Sequence, residues 1–241
     1  MAWQGDYYPR DRSGHPAPYF PDYKTTVFRA PQRPLLSFTP TLSELTGPTF
    51  GQADLDPLDN DLLCNAQVDG PPIGARILVQ GRVLDQNAKP VPNCLIEVWQ
   101  ANASGKYRHV KDGYLGAPDP NFSGYGRCLS DEQGRYFFHT VKPGPYPWPN
   151  RVNDWRPAHI HFSLFGPAFA TRLVSQMYFE GDPLIPRCPI VQAIADPAAA
   201  ARLVASLDLS ANRPMDYLAY RFDIVLRGRR QTFFENQRQG T

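Results

Sequence analysis

The chain has 241 residues, room for one large domain with a buried core, and a formal net charge of only +2 with acidic and basic residues interspersed. That balance gives no electrostatic reason to expect a nucleic acid or an anionic membrane as partner. Its 26 prolines, about twice the usual ~5 % share, exclude an architecture of long helices.

The first twenty-five residues are polar and proline-studded, without the apolar stretch of a signal peptide. No apolar run approaches the roughly 18 residues that a membrane span needs, so the expected location is the cytoplasm. Cys64, Cys94, Cys128 and Cys188 are far apart and form no C-x-x-C pair. They read as reduced, mostly buried thiols of a reducing compartment.

Through the first sixty-odd residues Pro16, Pro18, Pro21, Pro31, Pro34 and Pro40 break any sustained periodicity, yet Tyr19, Phe20, Tyr23, Phe28, Leu35 and Leu36 lie among them. Disordered tracts are poor in aromatics, so the segment reads as an irregular arm that wraps the body or a partner subunit. From Ala75 the pattern becomes strand, turn, strand. Residues 75–85, 93–102, 134–141, 158–166, 173–181 and 220–229 are β-branched or aromatic runs bounded by Gly, Pro, Asn and Asp, the signature of strands. One helix is expected late in the chain, with Asp196 as N-cap, Pro197 in the first turn, and Leu203, Val204 and Leu207 sharing one side. Arg227, Arg229 and Arg230 close the last run as a solvated edge. Phosphate-cradling glycine motifs are absent.

The expected fold is all-β, an antiparallel β-sandwich with long loops, a proline-rich N-terminal arm and one or two short helices near the C-terminus. Residues 1–241 read as a single catalytic domain, with 1–70 as arm and subunit-contact region and 71–241 as the core.

Within the run AHIHFSLFG, alternation puts Ala158, Ile160, Phe162 and Leu164 on one face of a strand and His159, His161, Ser163 and Phe165 on the other. Two imidazoles on one side of a rigid strand can offer nitrogens to a single cation. A half-exposed strand with a polar outer face explains the same spacing, and H-x-H alone favours that plainer account. No acidic residue follows until Glu180, so further ligands must come from elsewhere. Upstream, the prolines of PGPYPWPN hold Tyr146 in a stiff extended segment, and Tyr107 follows a strand ending in WQAN. His109 reads as a loop histidine bonded locally, and His139 as an ordinary strand residue.

In order along the chain, PDYKT, PPIGAR, EVWQANASGKYRH, DPNFSGYGRC, KPGPYPWPN, DWRPAHIHF, YFEGDPLIP, YRFDIVLRG and FEN resemble the intradiol ring-cleaving dioxygenases, and among them the iron-bearing β chains. In DQNAKPVP, Ala88 stands at a turn position where that family usually has Gly or Ser, and Asn87 beside it can tolerate a left-handed backbone.

The resemblance implies non-haem Fe(III) held by Tyr107, Tyr146, His159 and His161, with Tyr146 the ligand that leaves when the substrate enters. It also implies Arg156 beside the reacting ring, and Tyr23, Trp148, Gln176 and Ile190 around the substrate. Two phenolates and a hydroxide cancel the three charges of the ion, which a buried site tolerates, and hard Fe(III) suits phenolate oxygen. The implied reaction cleaves protocatechuate (3,4-dihydroxybenzoate) with O2 between its two hydroxylated carbons to give 3-carboxy-cis,cis-muconate. The implied partner is a homologous α subunit lacking the metal ligands, within a higher αβ oligomer. Three other readings are catechol 1,2-dioxygenase-type activity, an iron(II) cupin or zinc hydrolase using the same H-x-H, and a non-catalytic β-sandwich partner chain.

Overall fold

β-branched and aromatic runs become strands throughout the computed structural model, which describes residues 15–33, 52–85, 87–165 and 172–226. β1 (Arg76–Asp85) pairs antiparallel with β4 (Arg135–Val141). It also pairs parallel with β10 (Leu218–Arg221) and β11 (Ile224–Leu226). β7 (His159–Phe165) runs antiparallel between β2 (Leu95–Gln100) and β8 (Arg172–Phe179), and β3 (Tyr125–Leu129) edges β2. β9 (Val204–Leu207) joins the two groups, pairing with β8 on one side and β10 on the other.

Ring contacts show the two groups packed face to face. Phe162 of β7 lies 5.9 Å from Phe138 and 6.2 Å from Tyr136, both on β4, and 5.2 Å from Phe222. Ile77, Val79, Ile96, Val98, Ile160, Leu164 and Met177 complete this core. The expected β-sandwich is present, with a mixed sheet. β1 joins β10 and β11 in parallel because the chain between them is long enough for a crossover, which tight hairpins are not. The arm also contributes: Leu62 is fully buried in the core, and its N–H donates to the His139 carbonyl.

Two local expectations are corrected, and the turn after β1 is resolved. The late helix stops early. Asp196 does cap it, accepting from the Ala198 N–H, but α3 ends after Pro197–Ala201 and Val204–Leu207 is a strand, because pairing with β8 and β10 outweighs helical periodicity. The run 220–229 divides into β10 and β11 around Phe222 and Asp223, where the Phe222 N–H donates to the Gln80 carbonyl. In the turn after β1 the left-handed residue is Ala88 itself, at φ 61°, and not its neighbour Asn87. The Asp85 carboxylate accepts from the N–H groups of both Asn87 and Lys89, which leaves the residue between them to take the reversal.

The sequence did not announce β3, β5 (Tyr146–Trp148), β6 (Asp154–Arg156), β9 or the short helix α1 (Lys24–Arg29), while α2 (Pro189–Gln192) joins α3 as the second of the short helices expected toward the C-terminus. Leu35, Leu36, Arg227, Arg229 and Arg230 lie outside the described residues.

Candidate metal and active site

β7 sends Ile160, Phe162 and Leu164 into the core, as alternation requires. Its opposite face is covered rather than wet: His159 is only 2 % exposed and Ser163 is fully buried. Two segments cover the histidines. One leaves β2 and turns on Asn102, whose Oδ1 accepts from the N–H groups of Ser104 and Lys106. Gly105, at φ +83°, lies so close to the Pro145 carbonyl and Tyr146 Cβ that a side chain there has no room. The glycine thus brings Tyr107 against Tyr146, with ring centroids 5.5 Å apart, and Asp112 accepts from the Tyr107 N–H at 2.7 Å.

The second segment is the β5–β6 hairpin, in which Tyr146 lies opposite Arg156. The Asp154 carboxylate braces it, accepting from the Arg151 N–H, the Arg151 Nε–H and the Asn150 side-chain amide.

The four side chains singled out in the sequence therefore meet. Tyr107 Oη is 3.1 Å from His161 Nε2 and 3.5 Å from His159 Nε2, and Tyr146 Oη is 3.5 Å from His159 Nε2. His159 Nδ1–H donates to the Pro157 carbonyl at 2.7 Å. A carbonyl can only accept, so Nε2 carries the lone pair facing the tyrosines.

Burial, reinforced by the Arg156 charge, holds the His159 imidazolium far below its usual range and His161 down to about 4, so both rings are neutral near pH 7. Burial likewise raises both phenols: Tyr107 with a contribution from Tyr146, and Tyr146 against an opposing pull from Arg156. Two neutral imidazoles and two phenols that ionise only beside a strong cation form a donor set suited to a hard, highly charged metal ion. Among the described residues no group of three His, Cys, Asp or Glu gathers in a metal-binding arrangement. Among those residues, no carboxylate-based site is built around this histidine pair.

Of the remaining predicted residues, Arg156 and Gln176 adjoin the cluster, and Tyr23, Trp148 and Ile190 connect to it through Arg156 or Tyr178. Arg156, 5 % exposed, donates from Nη2 to Gln176 Oε1 and, at 3.4 Å, to Tyr178 Oη. Its guanidinium sits 5.5 Å from the Trp148 ring centre, and its buried Nε has no hydrogen-bond partner among the described residues. Tyr23 meets Trp148 edge-on at 5.4 Å. Gln176 lies opposite His161 in the β7–β8 register, and Ile190 packs on the cluster of Tyr178, Cys188 and Val191.

His109 is exposed and accepts from the Lys111 N–H, as expected of a loop histidine. His139 lies on β4 with its ring 5.4 Å from Tyr217. A cavity of about 370 Å³ borders Tyr107 and none of the other three donors.

Sequence reading assigned no role to Tyr178, Trp99, Asp112 or Asn150. Tyr178 Oη donates to Gln176 Oε1 at 2.7 Å. It stands two residues past Gln176 in the same alternation, a signal that was available.

A model of the dioxygenase family matches residues 45–228, and one of the protocatechuate 3,4-dioxygenase β-subunit N terminus matches residues 8–41. The chain is 52 % identical over 227 residues to a protocatechuate 3,4-dioxygenase beta chain from Burkholderia cepacia, covering 94 % of this chain and 96 % of the relative. It is 32 % identical over 171 residues to a protocatechuate 3,4-dioxygenase alpha chain from Pseudomonas putida, covering 70 % and 79 %. Among solved structures, hydroxyquinol 1,2-dioxygenase from Pseudomonas putida DLL-E4 superposes with a TM-score of 0.54 at 26 % identity, over 71 % of this chain and 62 % of that one. On these matches the chain belongs to the dioxygenase family, in the branch of the protocatechuate 3,4-dioxygenase β chains.

Proposed function

We propose that this chain is the catalytic β chain of an intradiol dioxygenase that opens protocatechuate with O2 between its hydroxylated carbons, giving 3-carboxy-cis,cis-muconate. The observation that carries this reading is the meeting of Tyr107, Tyr146, His159 and His161 at 3.1–3.5 Å. Dioxygenases of this family generally use non-haem iron, and the proposed ion is Fe(III), held by those four side chains. Bound ferric iron supplies a hard acid that draws electron density from an aromatic diolate and opens its ring carbon to O2.

The chain's own groups do the rest. With iron bound, Tyr146 would be the donor that yields to the substrate, and its Oη would take one of the diol's protons. Arg156, fixed by Gln176 and Tyr178, holds a permanent positive charge beside the ring where negative charge develops. Trp148 and Ile190 form apolar walls, and Gln176 the polar one. Tyr23 faces the ring carboxylate with help from Arg29, whose Nη2 donates to Tyr23 Oη at 3.0 Å. A ring without a carboxylate forgoes that contact, which favours protocatechuate over catechol.

The beta-chain and alpha-chain names of its relatives support a homologous α subunit without metal ligands as partner, in a higher αβ oligomer. No helix among the described residues is long and apolar enough to cross a membrane. The four cysteines are free thiols, and the proposed location is the cytoplasm.

The test is co-expression with a homologous α-type chain, followed by iron analysis, visible absorption and product identification with protocatechuate and with catechol. The expected protein is wine-red from phenolate bound to Fe(III), and it converts protocatechuate in preference. Catechol preference moves the assignment to the catechol 1,2-dioxygenase type, and an iron-free yet active preparation overturns it.

A further inference from the structure

The two histidines of the cluster are held by different means. His159 has a 2.7 Å bond from Nδ1 to the Pro157 carbonyl. His161 has no equivalent: among the described residues its Nδ1 faces only the Gln176 amide at 3.5 Å, too long to fix a ring firmly. What lies against His161 is Trp99. The two rings stack with centroids 4.8 Å apart and planes 3° from parallel. β2, β7 and β8 are adjacent, and their registers set Trp99 opposite His161 on one side and Gln176 opposite it on the other. Side chains directly opposite in neighbouring strands share a face and touch, so the stack follows from the strand register.

We infer that Trp99 is a positioning residue, whose indole face fixes the plane of the His161 imidazole so that Nε2 stays in line with Tyr107 Oη and the metal ion. It is not one of the four donors, and its ring lies against His161. The indole sets the ring plane, and the Gln176 amide marks which edge of the ring carries Nδ1. Without the indole, the imidazole tilts freely about its Cβ–Cγ bond, and each tilted orientation takes Nε2 away from the donor cluster. Groups that orient a metal ligand without binding the metal typically contribute 10- to 100-fold in affinity. Trp99 is half-buried, so replacing it does not empty the core.

The inference rests on the ferric reading above, and its test separates the two. The wild-type chain, Trp99→Phe, Trp99→Leu and Trp99→Thr are purified with their iron and challenged with excess chelator. Iron loss is followed through the visible phenolate-to-iron absorption, and the unfolding midpoint of each metal-free chain is measured alongside. Leu and Thr variants that fold are expected to release iron about tenfold faster than wild type, with a shifted absorption maximum, while Trp99→Phe, which keeps an aromatic face, stays near wild type. Wild-type release rate and absorption in the Leu and Thr variants overturn the inference and leave the ferric reading standing. If neither folds, Trp99→Phe decides: iron release about tenfold faster than wild type, in a chain whose metal-free unfolding midpoint is unchanged, overturns it as well, because an aromatic face is then not what holds the ring. A wild-type chain that takes up no iron overturns both.

Discussion

His161 Nε2 lies 3.1 Å from Tyr107 Oη, so His161→Ala removes a donor from the centre of the cluster. The expected protein retains less than a tenth of its iron and loses its visible colour, by metal analysis and absorption. Arg156→Ala behaves differently, because its guanidinium bonds Gln176 and Tyr178 and none of the four donors. It is expected to keep iron and colour while kcat falls on the order of 10²-fold, as when a fixed donor to developing charge is removed. A colourless but folded Arg156→Ala counts against its assigned role. A different residue-scale effect concerns Ala88, exposed at φ 61°. A side chain in the left-handed region costs roughly 1–2 kcal/mol, partly offset by the greater backbone entropy glycine loses, so Ala88→Gly should stabilise the chain by about 0.5–1 kcal/mol in denaturant unfolding. At this scale the H-x-H pair was legible because strand alternation is local. Trp99 was not, since its importance comes from the register of three strands separated by long stretches of chain.

Among the elements, the long strands were readable from their apolar runs, because burial on one or both faces leaves a continuous chemical record. β3, β5, β6 and β9 left little record: each is three to five residues long and owes its state to a partner strand. β7 is the element on which core and site both depend. Phe162 is fully buried among Phe138, Tyr136 and Phe222, and Phe162→Ala is expected to cost about 3–5 kcal/mol in unfolding free energy. The β5–β6 hairpin depends on charge instead. Burial pushes the Asp154 carboxyl up, but hydrogen bonds from Arg151 and Asn150 outweigh it and hold the group below its ordinary value. A carboxylate whose folded pKa is depressed stabilises the fold above its unfolded value and loses that contribution as pH falls through the folded one. Wild type should therefore unfold at a higher temperature than Asp154→Asn at neutral pH, with the gap closing below about pH 4. A gap that persists at pH 2 assigns the difference to geometry rather than charge.

Across the whole molecule, the arm and the body meet at Asn150, a residue 2 % exposed. Its Oδ1 accepts from the Lys24 N–H at 2.8 Å, and its Nδ2 donates to the Asp22 carbonyl at 2.7 Å and to Asp154 at 2.8 Å. One amide thus ties the segment carrying Tyr23 to the hairpin carrying Tyr146, Trp148 and Arg156. Composition announced an arm that packs on something. It did not reveal the attachment point, because an asparagine after a proline reads as a turn residue and its partners lie 126 and 128 positions away. The arm is also pinned at Ala17, whose N–H donates to the Ala193 carbonyl, so Asn150→Ala should loosen Tyr23 locally without detaching the whole segment. Tyr23 is proposed to face the ring carboxylate, which protocatechuate has and catechol lacks. Asn150→Ala is therefore expected to raise KM for protocatechuate about tenfold, a loss of about 1.4 kcal/mol in binding, with a smaller change in kcat, while KM for any catechol turned over stays unchanged. Equal damage to both substrates would mean that Asn150 supports the hairpin and its Tyr146, and that the arm has no part in recognising the carboxylate.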